Sequence, residues 1–250
     1  MNRIRLMGVV VLGLVVGSVR AQSPVAPPAS PAPLKTSLDL GATLTDGNSE
    51  SRKANGSLTL EGERAPLGSF LAGAQVNYGE SKVNGETETD LDNAKAFGNA
   101  KKTLSAMTFA YGDISALYDN MAEIDYRVTA GPGAGFYLLK TPAHTLSMEA
   151  GPSYVWERVS EGDDDYLALR AAERYEYVVA PGTRFWESVE ILPEVSDFSN
   201  FLVTAEAGAE AAVNAHFSLR LVLQDKYDSQ PGAGLDKNDL ILIGGVSLKL

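Results

Sequence analysis

Residues 124–156 read IDYRVTAGPGAGFYLLKTPAHTLSMEAGPSYVW, and the fold is decided there. Ile124, Tyr126, Val128, Ala130, Pro132, Ala134, Phe136 and Leu138 are apolar. Between them stand Asp125, Arg127, Thr129, Gly131, Gly133, Gly135 and Tyr137. After a Lys-Thr-Pro-Ala turn the beat resumes. Leu146, Met148, Ala150, Pro152, Tyr154 and Trp156 alternate with Thr145, Ser147, Glu149, Gly151 and Ser153, and Val155 alone breaks the second set. Successive strand side chains point to opposite faces, so a sustained period of two predicts two long antiparallel strands joined by a tight turn.

Strands of soluble proteins usually run about 5–6 residues. A tilted membrane-spanning strand needs about 9–11, and each half of this hairpin exceeds that. One apolar face and one polar, charged, Gly-rich face is the pattern of a strand with lipid outside and a polar lumen inside. Taken alone, the hairpin fits equally well in a soluble sandwich or a lipocalin-like barrel with its apolar face inward.

Working outward, the same alternation recurs. Leu38, Leu40, Ala42 and Leu44 are followed by an Asp46-Gly-Asn-Ser turn, then by Ala54, Gly56, Leu58 and Leu60. Phe70, Ala72, Ala74, Val76 and Tyr78 lead to Asn84-Gly85, a dipeptide with hairpin chemistry. Residues 87–102 and 104–118 are weaker strands placed by spacing. Leu167, Leu169, Ala171, Tyr175, Tyr177 and Val179 form an apolar face with Glu173 as a misfit, and residues 184–194 form a strand of open phase. The Ala-rich residues 201–213 fit a strand, although Glu206 and Glu210 also stand at helical spacing. Strands over 217–224 and 240–250 complete about twelve: an all-β, single antiparallel up-and-down transmembrane barrel.

The connections sort themselves. Every odd one carries carboxylates, among them Asp46, Glu86, Asp119, Asp163, Asp164, Asp165, Asp197 and Asp236. The even ones are mostly shorter and built on Pro, Gly or Asn. Outer-membrane barrels have short periplasmic turns and longer outer loops, which places the acidic connections outside and both chain ends at the periplasm.

Residues 1–21 have the form of a secretory signal peptide: Arg3 and Arg5, an apolar run to Val16, then Val-Arg-Ala. Residues 22–34 form a Pro/Ala-rich linker that builds no core, and residues 35–250 form the barrel. The whole chain has a net charge of −11. Without residues 1–21 it has 18 basic against 32 acidic side chains, a net −14 that argues against nucleic acid as a partner. With 0 cysteines there are no disulfides and no thiolate ligands.

Several segments together resemble the domain-of-unknown-function 481 family, whose members carry the label salt-induced outer membrane protein. They are GNSESR (47–52), YGE (78–80) with NGET (84–87), DYR (125–127) with GPGAGFY (131–137), HTLSMEAGP (144–152), TRFWE (183–187) and KYDS (226–229). The resemblance covers nearly all of the chain after residue 34. It implies an outer-membrane β-barrel, and supplies no established activity and no catalytic residues; residues 1–21 add the expectation of export through a cleaved signal peptide. The chain departs from such barrels in ending on Leu250 rather than an aromatic residue.

Site chemistry is sparse. There are two histidines, His144 in a turn and His216 at a strand start, and no motif supports a Ser/His/acid triad. No phosphate loop, dinucleotide-binding pattern or His-rich metal motif occurs. The expectation is therefore no enzyme, no catalytic residue, no cofactor and no metal. Gly131, Gly133 and Gly135 read as a bared lumen wall on which bulky neighbours pack. Asp163, Asp164 and Asp165 read as a solvated acidic loop or, with the other outer carboxylates, a rim that gathers divalent cations.

Lysines, arginines and acids on the predicted inner faces are Lys53, Asp125, Arg127, Glu149, Arg170, Arg174, Glu190, Arg220 and Lys226. Their mixed signs predict ion pairs across the lumen. The favoured function is a structural or envelope-stress barrel with a narrow or plugged lumen. The alternatives are a small channel for ions or solutes and, less favoured, a lipid-modifying enzyme. The expected partners are outer-membrane lipid, lipopolysaccharide and the barrel-assembly machinery.

Overall fold

The structure, a computed structural model, describes residues 34–45, 50–64, 68–83, 86–160 and 162–249. The signal-peptide and linker readings and the Asn84-Gly85 turn lie outside the described residues.

Twelve strands follow in chain order: β1 Lys35–Thr45, β2 Glu50–Arg64, β3 Gly68–Val83, β4 Glu86–Thr103, β5 Thr108–Asp119 and β6 Ile124–Lys140. Then come β7 His144–Val159, β8 Gly162–Ala180, β9 Thr183–Pro193, β10 Phe201–Ala212, β11 Phe217–Asp228 and β12 Asn238–Lys249. Each pairs antiparallel with its sequence neighbours, and β1 meets β12 to close the barrel. Closure satisfies backbone groups that lipid cannot, which is why a strand protein crosses a membrane as a barrel. The Ala-rich run is strand β10, paired on both sides, so the helical alternative is set aside.

We call the end where odd strands hand over to even ones the loop mouth, and the end holding Lys35 and Lys249 the terminal mouth. The outer surface carries exposed aromatic residues at two levels. Tyr78, Tyr118, Tyr126 and Trp156 lie toward the loop mouth; Phe136, Tyr177, Phe185 and Phe217 lie toward the terminal mouth. Exposed Leu167, Leu169, Leu221 and Leu242 lie between them. An apolar belt between aromatic girdles is the lipid-facing surface of an outer-membrane barrel.

Two bulges correct the predicted phase of β6. Ile124 pairs with Val159 and Tyr126 with Arg158, so Asp125 is an extra residue without an opposite number. A bulge shifts the alternation by one. Ile124 therefore turns inward and is buried, and Asp125, expected on the lumen side, is exposed. A second shift between Tyr137 and Leu139 leaves both Leu138 and Leu139 exposed. The fifth strand begins at Thr108 rather than 104, because residues 104–107 form the turn. The open phase of β9 settles with Trp186 and Leu192 buried and Phe185 and Val189 exposed.

Candidate functional site

The lumen is where the chain concentrates its polar chemistry. The glycines of β6 permit this. A Cβ on Gly133 would lie 2.3 Å from the Tyr111 ring, and one on Gly135 would lie 2.4 Å from the Phe109 ring. The bared wall thus accepts two aromatic side chains from β5, as the sequence suggested, and both rings are buried. Gly208 of β10 does the same for Trp186, whose ring would lie 2.0 Å from an added Cβ. Val155, the residue that broke the alternation, joins Tyr166, Ala168 and Leu192 in a small apolar cluster inside the barrel.

Around these aromatics runs a network of ions. Lys101 on β4 reaches Glu149 on β7 at 2.6 Å, passing over the Phe109 ring. Glu149 also receives Arg170 Nη1 at 2.8 Å, and Arg170 Nε reaches Glu190. The Arg170 guanidinium lies over Tyr111. Trp186 Nε1 donates to Glu206 at 2.6 Å, while Arg184 and Arg220 each approach its ring at 5.1 Å. Gln224 on β11 donates to Glu206 at 3.0 Å and meets Gln75 on β3 at 3.4 Å.

Two pairs matter most for the bore. Lys226 on β11 binds Asp119 on β5 at 3.0 Å, and Arg127 on β6 binds Asp228 on β11 at 3.0 Å while also pairing with Glu157. By the circular strand order β5 and β11 stand opposite each other. A round barrel of twelve strands is about 24 Å across its backbone at the usual spacing and tilt. An extended Lys–Asp pair spans only about 13 Å between Cα atoms, at bond lengths near 1.5 Å. The two walls therefore lean together at the loop mouth.

The β11–β12 connection adds to this closure. Gly232 sits so close to the β7–β8 turn that an added Cβ would fall 2.5 Å from Ser160 Oγ. Ser160 and Glu123, both with positive φ, hold each other through the Ser160 amide at 3.0 Å and a side-chain hydrogen bond. Gln230 reaches Asp197 and Ser199 of the β9–β10 connection.

Of the predicted lumen residues, Arg127, Glu149, Arg170, Glu190, Arg220 and Lys226 enter this network. Lys53 pairs with Asp90 at 2.9 Å, and Arg174 makes only a 3.9 Å approach to Glu176. Asp119 was read from the sequence as an outer-connection carboxylate, and the structure instead buries it against Lys226; the inward placing of Lys101, Asp228, Tyr111 and Trp186 was not picked out. The one legible hint to Tyr111 was the glycine at 133 that makes room for its ring.

The remaining candidates stand apart. His144 Nδ1 bonds the Tyr175 hydroxyl at 2.8 Å, and its ring stacks on Tyr177 at 4.5 Å. Asp163 is gripped by Arg158 at 2.7 and 2.9 Å and accepts from Tyr126, so it is not a free carboxylate. Asp165 accepts from Tyr154. Among the described residues, no three His, Cys, Asp or Glu side chains converge as a metal site.

Several known proteins are similar to this chain. The chain is 20% identical over 206 residues to the uncharacterized protein YdiY of Escherichia coli (strain K12), covering 82% of this chain and 78% of that protein. Among solved structures, the KdgM porin is similar at 8% identity and a TM-score of 0.47, over 87% of this chain and 99% of that one. The NanC porin is similar at 9% and 0.48, over 86% and 96%. The sequence profile of one family matches residues 38–246, nearly the whole barrel, and the chain belongs to that family, DUF481, proteins of unknown function.

Proposed function

We propose that this chain is an outer-membrane barrel that serves the cell envelope structurally and does not conduct freely. The observation that carries this is the pair of ion bridges from β11 to the far wall, Lys226–Asp119 and Arg127–Asp228. A conducting porin is usually larger, with about 16–18 strands and an aqueous channel. Here the inward side chains hold one another across the bore. Ion pairs inside a barrel are screened by salt less than exposed ones, so the closure persists at ordinary ionic strength.

The aromatic girdles and apolar belt support residence in the outer membrane, among phospholipid and lipopolysaccharide, with insertion by the barrel-assembly machinery. Export through a signal peptide rests on residues 1–21 alone, and the salt-response element rests on the family resemblance alone. The long β9–β10 and β11–β12 connections support the loop mouth as the outer face. An epitope placed between Asp163 and Asp165 should be labelled on intact cells; labelling only after rupture of the outer membrane reverses the topology.

The inward groups are engaged with each other rather than arranged around a nucleophile, which supports a non-catalytic reading. A second reading, a small channel, draws on the terminal mouth. There the ion pairs run along one stretch of wall: Arg184 with Glu176 and Glu210 at 3.1 Å each, and Lys249 with Glu210 at 2.8 Å. Current recordings across a planar bilayer separate the two readings, with silence expected for the sealed barrel and steps for the channel.

A further inference from the structure

The barrel is closed unevenly. β1 pairs with β2 along its length, from Lys35–Glu61 to Thr45–Ser51, and β12 pairs with β11 from Asn238–Tyr227 to Leu248–Phe217. Between β1 and β12 the ladder runs only from Ser37–Lys249 to Leu40–Val246. Toward the loop mouth, residues 41–45 and 238–245 present edges to each other with no ladder. Three glycines mark the point where it stops. An added Cβ on Gly41 would lie 2.3 Å from the Gly244 carbonyl oxygen, and one on Gly245 would lie 2.6 Å from that of Leu40. The two backbones are pressed together there.

An unpaired edge in lipid leaves amide and carbonyl groups without partners, a cost that barrels otherwise avoid by closing. Both faces of β12 are apolar over residues 240–243. Leu240 and Leu242 face outward and are exposed, while Ile241 and Ile243 face inward, beside buried Val222. An acyl chain can therefore lie along this part of β12 against an apolar surface.

The foot of the seam is polar and incompletely satisfied. Asp39 sits in the last stretch of ladder, opposite Ser247, and Arg220 lies opposite Gly245. Arg220 Nη1 and Ser57 Oγ both donate to Asp39 Oδ2. Asp39 Oδ1 and Arg220 Nε are buried with no partner, although Asp39 as a whole is only 6% exposed. Buried polar groups are nearly always paired. This acceptor and this donor stand unpartnered beside the end of the ladder.

We propose that the β1–β12 seam is a lateral portal for an anionic glycerophospholipid bearing free hydroxyls. Its acyl chain lies between β1 and β12, in the leaflet nearer the terminal mouth. A headgroup hydroxyl donates to Asp39 Oδ1, and a phosphate oxygen accepts from Arg220 Nε. Loss of a few more ladder pairs uncovers both groups, so opening of the seam and capture of the lipid are one event. This assignment stands apart from the sealed axial bore, because it needs no solute to pass from mouth to mouth.

The absence of cysteine from the chain allows a clean lock. Continued by two residues, the existing register sets Ala42 opposite Gly244, so A42C/G244C can be joined by a disulfide and released by reductant. The purified barrel is mixed in mild detergent with phosphatidylglycerol or phosphatidylcholine, and bound lipid is counted by native mass spectrometry. The reduced protein should retain phosphatidylglycerol about tenfold better than phosphatidylcholine, as expected for the one hydrogen bond to a charged group, from headgroup hydroxyl to Asp39, that phosphatidylcholine cannot make. Oxidation should abolish the preference and reduction should restore it in the same sample. Asp39→Leu should lose it while keeping the heat-modifiable gel shift of a folded barrel, and Arg220→Met should lower the retention of both lipids. Equal retention of the two lipids, or a preference that survives the locked seam, overturns the proposal and leaves annular lipid only.

Discussion

The two mouths of this barrel use the same side chains differently. At the loop mouth, Lys226 and Arg127 bind carboxylates across the lumen, on strands six and five places away around the ring. At the terminal mouth, Arg184 and Lys249 bind carboxylates on neighbouring or nearby strands. A pair along the wall ties strands that the backbone ladder already holds. A pair across the lumen draws together strands that no backbone ladder joins. Ion pairing alone therefore says little about a bore; the strand separation of the partners decides whether the pair stiffens a wall or closes a passage.

The contrast breaks most readily at the loop mouth. Asp119 is 7% exposed at its side chain and Lys226 is 23% exposed. Removing one partner of a buried pair strands the other and costs about 3–5 kcal/mol. Asp119→Ala should lower unfolding stability in detergent by that order, and should make the loop mouth accessible to soluble thiol reagents at a cysteine placed at Ser115. Arg184→Met, at the terminal mouth, should cost far less, on the order of 1 kcal/mol, because Arg184 is 32% exposed and its strands stay laddered. Equal losses from the two variants would erase the distinction.

Next in size is the glycine wall that lets the inward aromatics lie flat. Gly133→Val drives a side chain into the Tyr111 ring, and overpacking of this kind costs about 1–3 kcal/mol. The same change at Gly112, where an added Cβ meets nothing within 4 Å, should be near neutral by thermal denaturation. Between the two, Glu187→Leu tests the outer surface. Glu187 pairs with Ala207 on the lipid-facing side of β9, where a carboxylate is unfavourable. The change should raise stability by up to about 1 kcal/mol, the opposite sign to losing an inward acid.

The smallest expected effect concerns the loops. Ser199 donates to Asp197 through its hydroxyl at 2.6 Å and its amide at 3.0 Å, holding that carboxyl below its ordinary 3.8. A depressed pKa contributes order above the unfolded value and loses it as pH falls through the lower folded value. Protection of the Ser199 amide from hydrogen exchange should therefore be flat between about pH 5 and 8, and should fall only below 3.8.

What was legible in the sequence follows the same division between wall and lumen. The strands β6 and β7 were readable because a period of two is local, and so was the inward direction of Arg170 or Glu149. The bulge at Asp125 was not, since it depends on the register that β7 imposes. Partners such as Asp119 for Lys226 were not readable either. They lie 107 residues apart, and meet only because two opposite walls lean together. The early end of the β1–β12 ladder belongs to ring closure, which no single strand encodes.

The central claim is that pairs across the lumen seal the bore, and current through single barrels in a planar bilayer tests it most directly. The purified protein should insert, as judged by its gel shift and β-rich circular dichroism, and give no stepwise conductance at neutral pH in moderate salt. The variant Arg127→Ser/Lys226→Ser should give steps. Regular open steps from the unaltered protein would contradict the account.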